Sequence, residues 1–439
     1  MNELPPKWAS ARVGELAEAI RGLTYKKEQA RAHAGDGLAP LIRATNIQDG
    51  RVLLEDNLVF VPEILIRNDQ WLQPGDIVLA SSSGSASVVG KSASILHPWH
   101  GTFGAFCIVL RPSKQLDARY FAHFIASPRV RARWSALAAG TNINNLKSAH
   151  VGETEVPLPP LNEQRRIVAA IEARFSRLDA AEESLRQARL RLNAYIASAI
   201  VEALAGDWPT VSLGDVTQEQ SYGTSAKTST DPTGVPVLRM GNIQDGRLDF
   251  HALKYLPSEH PDVRRLTLRP GDLLFNRTNS PELVGKSAVF KTGPDPTSFA
   301  SYLIRVRLMP DCDPDWASLV INSPLGREYI ARVRTQQVGQ ANVNGTKLTR
   351  MPIPLPPVDE QRRIIARLEE HFSATSVVVL PIERASTRSA ALRRSILERA
   401  FCGELAPQDP ADEPASVSLE RIAADRKSAT PRRRGTVTT

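Results

Sequence analysis

Apolar residues follow two different rhythms along this chain. In the first rhythm they form short runs bounded by turn residues. Asp76-Ile77-Val78-Leu79-Ala80 and Phe106-Cys107-Ile108-Val109-Leu110 are such runs, and they predict strands. Pro74-Gly75-Asp76 before the first is turn chemistry. Helical spacing follows from about Arg119 to Leu137. The same order returns later as Pro270-Gly271-Asp272, Asp272-Leu273-Leu274-Phe275, Tyr302-Leu303-Ile304-Arg305-Val306 and a helical stretch from about Trp316 to Val333. These parts predict α/β or α+β globules.

The second rhythm is helical throughout. Pro159-Pro160 end the preceding chain, because proline disfavours helix at the residue before it. Asn162 is a good N-cap, and Glu163 in the first turn complements the helix dipole. No proline or glycine intervenes before Gly206. Ile171, Leu178, Leu185 and Leu192 recur every seven residues, with Ala181, Ala188 and Tyr195 three residues after members of that series. This spacing predicts a coiled-coil seam. Some forty residues span roughly 60 Å, so the seam needs a long partner. The natural partner follows Pro356-Pro357, with Asp359 as cap and Glu360 in the first turn. There Leu368, Leu392 and Ile396 carry the apolar pattern, Thr375 and Ser389 interrupt it, and Pro381 is expected to kink or break the helix. Past Gly403 the chain turns to Pro407-Gln408-Asp409-Pro410 and ends near Arg432-Arg433-Arg434, which predicts a largely flexible, solvated basic tail.

The two rhythms repeat because the chain is a duplication. Pro40-Leu41-Ile42-Arg43-Ala44-Thr45-Asn46-Ile47-Gln48-Asp49-Gly50-Arg51 returns as Pro236-Val237-Leu238-Arg239-Met240-Gly241-Asn242-Ile243-Gln244-Asp245-Gly246-Arg247. Val89-Gly90-Lys91-Ser92-Ala93 returns as Val284-Gly285-Lys286-Ser287-Ala288, and Trp8 with Gly14 returns as Trp208 with Gly214. The matches are collinear through both halves, which excludes chance. Between them the halves differ greatly, as two readers of different targets would require.

The expected organisation is a first domain at 1–160, a long helix at 161–206, a second domain at 207–357, a second long helix at 358–405, and a tail at 406–439. Composition changes this picture little. Hydrophobic residues make up 42% and charged residues 23% of the 439, as in a folded soluble protein. The net charge of +8 favours a polyanionic partner. Cys107, Cys312 and Cys402 are far apart and odd in number, so neither a zinc site nor a disulfide framework is supported, and a cytoplasmic location is expected. No apolar run has the length of a membrane span.

Catalytic motifs fail on spacing. Gly90-Lys91-Ser92 and Gly285-Lys286-Ser287 resemble the end of a phosphate-binding loop, but the required earlier glycine is Ser85 or Ser280. A turn between strands, with the lysine free to contact a phosphate oxygen, fits better. There is no His-Glu-x-x-His, and no Asn/Asp-Pro-Pro-aromatic motif of amino-methyltransferases. Asp76 and Asp272 read as turn residues rather than nuclease carboxylates.

Pro157 to Ile167 and Pro354 to Ile364 both spell Pro-x-Pro-Pro-x-x-Glu-Gln-Arg-Arg-Ile at the head of a long helix. Together with Ala400-Phe401-Cys402-Gly403-Glu404-Leu405 and Leu419-Glu420-Arg421-Ile422 near the end, this pattern resembles type I restriction–modification specificity subunits over nearly the whole chain. The resemblance implies two target-recognition domains separated by two long antiparallel coiled-coil helices. It implies a chain without catalysis of its own that reads a bipartite site in double-stranded DNA. Two methyltransferase subunits and two restriction/translocase subunits are the implied partners. S-adenosylmethionine, ATP and Mg²⁺ then belong to those partners, with no cofactor in this chain. Half-sites about one helical turn, near 34 Å, apart suit such readers. The competing reading is a scaffold that assembles other subunits through its coiled coil without touching DNA.

Candidate contacts follow from comparing the copies. Ser81, Ser82 and Ser83 stand opposite Asn276, Arg277, Thr278 and Asn279 in equivalent loops and differ chemically, which suits base reading, although an ordinary polar loop reads the same way. Arg43 with Asn46 and Arg239 with Asn242 are kept in both copies, so a structural or phosphate role is expected. Asn142, Asn144 and Lys147 resemble Asn342, Asn344 and Lys347; they precede the long helices and either touch DNA or clamp a hinge. Arg165, Arg166, Arg362 and Arg363 are expected to be partner or surface charges.

Overall fold

A computed structural model describes residues 4–48, 50–85, 87–138, 144–337 and 339–429. Contacts divide the chain into two units, Met1–Glu183 with Ala385–Thr439, and Ser184–Arg384. Each boundary falls inside a long helix, so each unit holds one globular domain and a portion of both helices.

In the first unit the apolar runs form a four-stranded antiparallel sheet in the order Ala17–Arg21, Cys107–Pro112, Ile77–Ala80, Ser92–Ser94. Every residue of Ile77–Ala80 is buried, as expected of a central strand covered on both faces. Beside it, Thr102–Phe103, Leu38–Ile42 and Val59–Pro62 form a three-stranded sheet. The N-terminal strand Ala9–Arg12 pairs with Glu155–Leu158, which brings the chain to the head of the long helix.

The second unit repeats this plan. Its four-stranded order is Thr217–Tyr222, Leu303–Leu308, Leu273–Asn276, Ser287–Val289, and its three-stranded order is Lys254–Leu256, Val235–Leu238, Ser298–Phe299. Thr210–Ser212 pairs with Pro352–Pro354. Phe106 and Tyr302, expected to open strands, instead lie in the turns before them and are exposed. Both copies of the shorter helical stretch are split in two, into Ala118–Ile125 and Pro128–Leu137, and into Pro314–Asn322 and Pro324–Val333. Ser127-Pro128 and Ser323-Pro324 cause the break: proline suits the first turn of a helix but pushes the residue before it into extended backbone.

The long helices run Leu161–Leu204 and Val358–Phe401. The Gln164 and Gln361 amides donate to the Pro160 and Pro357 carbonyls at 2.9 and 3.0 Å. The prolines therefore cap the helices, and Asn162 and Asp359 sit at the second helical position. Gln164 and Gln361 are wholly buried and explain the repeated motif. The Gln164 side chain accepts from the Asp117 amide at 2.9 Å and donates to the Pro159 carbonyl at 2.9 Å. Gln361 does the same with the Asp313 amide at 2.8 Å and the Pro356 carbonyl at 2.8 Å. Each glutamine thus ties a long helix to the start of a domain helix.

The second helix is continuous through Pro381, against the expected break. Proline removes one rung, the bond to the carbonyl four residues earlier, and the remaining rungs hold the helix together. Within the first unit the helix portions run antiparallel. Arg393 Nη2 meets Asp179 at 2.6 Å and Glu182 at 3.1 Å, and Ser389 Oγ meets Glu182 at 2.5 Å. Nearer the first helix's start, Ile167, Val168 and Ile171 pack with Leu397 and Ala400.

The seam is more polar than its heptads suggest. Ile171 and Leu368 are buried, whereas Leu178, Leu185, Leu192 and Ile396 are half-buried. Ala181, Ala188 and Tyr195 are exposed, and Leu392 is 43% exposed, so these four fall outside the seam. Their places are taken by Phe175 and Glu182, four residues after Ile171 and Leu178, and by Ser389 and Arg393 on the second helix.

The tail also departs from expectation. Ala415–Ala429 is a helix whose Ala415, Leu419 and Ile422 join the core of the first domain. Arg166 pairs with Asp412 at 2.5 Å, Lys7 Nζ donates to the Asp412 carbonyl at 2.7 Å, and the Ala415 amide donates to the Lys7 carbonyl at 2.9 Å. Residues 405–429 are thereby fixed, and Arg432, Arg433 and Arg434 lie outside the described residues. Among the described residues no helix is long and apolar enough to cross a membrane.

Candidate nucleic-acid interface

In both domains the central strand runs directly into the loop that sequence comparison singled out. After Ile77–Ala80 comes Ser82–Ser83, which pairs antiparallel with Asn144–Asn145. After Leu273–Asn276 comes Thr278–Asn279, which pairs with Gln340–Asn342. Two candidate segments some sixty residues apart in sequence therefore form one ribbon in each domain. In the second, Asn342 Nδ2 donates to Thr278 Oγ1 at 2.6 Å. A further strand there, Thr335–Gln337, pairs with Gln340–Asn342. Asn142 lies outside the described residues.

Not every candidate reaches the surface. Ser81 is 5% exposed, and Asn276 is wholly buried with Nδ2 directed at the Leu283 carbonyl. Neither side chain stands at the surface: Asn276 is the last residue of its buried strand, and Ser81 directly follows its own. Asn344 caps the helix Gly345–Thr349 by accepting from the Lys347 amide at 2.9 Å, which makes it a structural residue first. The exposed set is Ser82, Ser83, Asn144 and Lys147 in the first domain, and Arg277, Thr278, Asn279, Asn342 and Lys347 in the second, all at least partly accessible. Lys91 and Lys286 are half-exposed beside these ribbons, each after a glycine with φ near +80° (+82° at Gly90, +85° at Gly285) that lets the chain turn tightly.

Arg277 is braced by an aromatic ring. Its guanidinium carbon lies 4.8 Å from the centre of the Tyr222 ring, and Nη1 is 3.5 Å from the Ser301 carbonyl. Stacking fixes the plane of the group and leaves donors available, as bidentate reading of guanine requires. The loop that carries Lys286 is pinned from behind, where Arg327 donates to the Val284 and Glu282 carbonyls at 2.8 and 2.9 Å. Burial and the neighbouring Arg334 hold the Arg327 pKa below its ordinary value. Arg131 does the matching work in the first domain through the Ser87 carbonyl at 2.8 Å.

The asparagines kept in both copies are structural. Asn46 Oδ1 accepts from the Arg43 amide at 3.0 Å and Nδ2 donates to the Asp56 carbonyl at 2.7 Å; Asn242 repeats this with Arg239 at 2.9 Å and Asp249 at 2.8 Å. Sequence reasoning passed over Tyr222, Phe106 and Tyr302. The last two were legible as aromatics in matched positions, but they read as strand residues.

The family model for the type I restriction modification DNA specificity domain matches twice, at residues 5–188 and 205–377. The type I restriction enzyme EcoKI specificity subunit of Escherichia coli (strain K12) is 36% identical over 438 residues, covering 96% of this chain and 94% of that one. The StySPI specificity subunit of Salmonella potsdam is 33% identical over 447 residues, covering 97% and 96%. A solved chain from work on complex assembly and conformational transition of the type I R-M system shares the fold, with a TM-score of 0.69 at 20% identity, covering 92% of this chain and 100% of that one. A specificity domain present twice, on one frame with differing loops, and near-full-length likeness to these relatives lead to one conclusion: the chain belongs to the type I restriction enzyme specificity subunits.

Proposed function

We propose that the chain reads a bipartite site in double-stranded DNA, one half with each domain, and gathers two methyltransferase and two restriction/translocase subunits that perform the chemistry. The observation that carries this is the pair of ribbons, Ser82–Ser83 with Asn144–Asn145 and Thr278–Asn279 with Gln340–Asn342. They occupy the same place on the same frame and present different side chains. Phosphate contacts fix register while differing side chains read base edges. The chain itself transfers no methyl group and cleaves no strand. S-adenosylmethionine, ATP and Mg²⁺ act on the partner subunits, and the assembly works in the cytoplasm.

Genome-wide methylation mapping tests this. A host lacking the modification is given the methyltransferase subunits with and without this chain. The expected result is methylation only when the chain is present, within a motif of two specified parts and an unspecified spacer. Methylation that does not depend on the chain, or an unbroken motif, contradicts the reading.

A further inference from the structure

A shallow cavity of about 380 Å³ opens beside the reading ribbon of the second domain. Its lining includes Arg239, Ile243, Gln244, Asn279, Lys286 and Tyr302, and holds no acidic residue. The matching residues of the first domain are Arg43, Ile47, Gln48, Ser83, Lys91 and Phe106. Four of these six are identical and the aromatic is kept; Asn279 and Ser83 differ, and so do Met240 and Gly241, which also line the cavity, from Ala44 and Thr45. Arg43, Ile47, Gln48 and Lys91 belong to segments repeated in both halves, whereas Ser83 and Asn279 lie in the loops that diverge.

The preserved side chains have hydrogen-bonding capacity to spare. The Lys286 and Lys91 ammonium groups have no hydrogen bond or ion pair among the described residues. The Nε atoms of Arg239 and Arg43 are buried without a partner. Their Nη2 atoms tether each guanidinium to the Ala252 and Asn57 carbonyls, at 3.4 and 2.8 Å. Tyr302 is 45% and Phe106 65% exposed, each large ring standing at the surface. Two cations with no acid to neutralise them call for an anion, and a flat apolar ring beside them suits the sugar next to it.

We propose that this pocket seats one backbone phosphate of duplex DNA in each half-site, against Lys286 and Arg239 in the second domain and Lys91 and Arg43 in the first. Tyr302 and Phe106 pack on the adjoining deoxyribose. The assignment rests on the reading of the chain as a DNA binder. A site kept in both copies carries no information about two different half-sites, so it sets register and leaves discrimination to the ribbon alongside.

The test uses the full chain assembled with its methyltransferase subunits and a pool of random-sequence duplexes, titrated at several salt concentrations, with the retained duplexes sequenced. One released counterion at a slope near 0.9 is worth about eightfold at 0.1 M salt. Lys286→Gln and Lys91→Gln should each weaken binding by about that factor and take about one unit from the salt slope, with the recovered motif unchanged. Lys286→Arg, which keeps the charge, should retain affinity and so separate lost contact from lost folding. Tyr302→Ala should weaken binding to all sequences alike, and Tyr302→Phe, the first domain's choice, should not. A shifted base preference in one half-site would show that the pocket reads a base and overturn the assignment. Unchanged affinity and slope in both glutamine variants, while the wild type recovers its motif, overturns the pocket alone. A wild type that recovers no motif overturns the DNA reading and the pocket together.

Discussion

Asp76 takes the Nε and Nη2 hydrogens of Arg111 at 2.8 and 2.7 Å, and Asp272 repeats this with Arg307 at 2.7 and 3.3 Å. Asp76 also accepts from the Gln73 amide at 2.9 Å, closing the Pro-Gly-Asp turn. A carboxylate 1% exposed and so engaged is a strut, as the turn motif predicted. Removing its partner leaves a buried charge uncompensated. Arg111→Ala should therefore cost about 2–4 kcal/mol, discounted because the arginine is partly in water. Urea unfolding of the full chain checks this. The double variant Asp76→Ala/Arg111→Ala should lose less than the two single losses added together, and strict additivity would count against the strut. At this scale agreement between the copies marked the frame, although it gave Gln164 and Gln361 no role in advance and left Phe106 and Tyr302 reading as strand residues. Asn46 and Asn242, Gln164 and Gln361, and the two aspartates all serve the frame. The sequence was illegible at Asn276, because a polar residue that ends a buried strand looks like the first residue of the loop.

Among the elements, the four strands and both long helices followed from apolar periodicity and proline punctuation. The tail did not. Pro407-Gln408-Asp409-Pro410 reads as a linker, and the helix beyond it shows the domain only three apolar contacts, Ala415, Leu419 and Ile422. A short helix with so narrow an apolar face is set by the surface it docks on, not by its own propensity. The polar middle of the seam was legible at Ser389, which interrupts the heptads, but not in the part that Arg393 plays. Heptad counting credits Leu392, but Ser389 and Arg393 face Glu182 and Asp179 instead. If the terminal helix is part of the first domain's core, Ile422→Ala, at a residue 2% exposed, should destabilise that unit by about 2–4 kcal/mol. It should also open residues 405–429 to limited proteolysis. An unchanged unfolding midpoint together with an intact tail would show that the helix does not depend on this contact.

For the molecule as a whole, duplication is the organising fact. Topology, turn glycines, helix staples and the cation pairs Arg43 with Lys91 and Arg239 with Lys286 are shared, while the paired ribbons differ. A frame that repeats and a surface that does not are what two independent readers require. The terminal helix adds one condition: the first domain is completed by residues from the far end of the chain, so it is a unit only with them. Exchanging residues 1–157 together with 405–429 for the matching segments of a relative, and then mapping methylation, tests the central claim most directly. The account predicts that one half of the recognised site changes to that of the relative, with the other half and the spacer length unchanged. An exchange that alters both halves together, or neither, contradicts it.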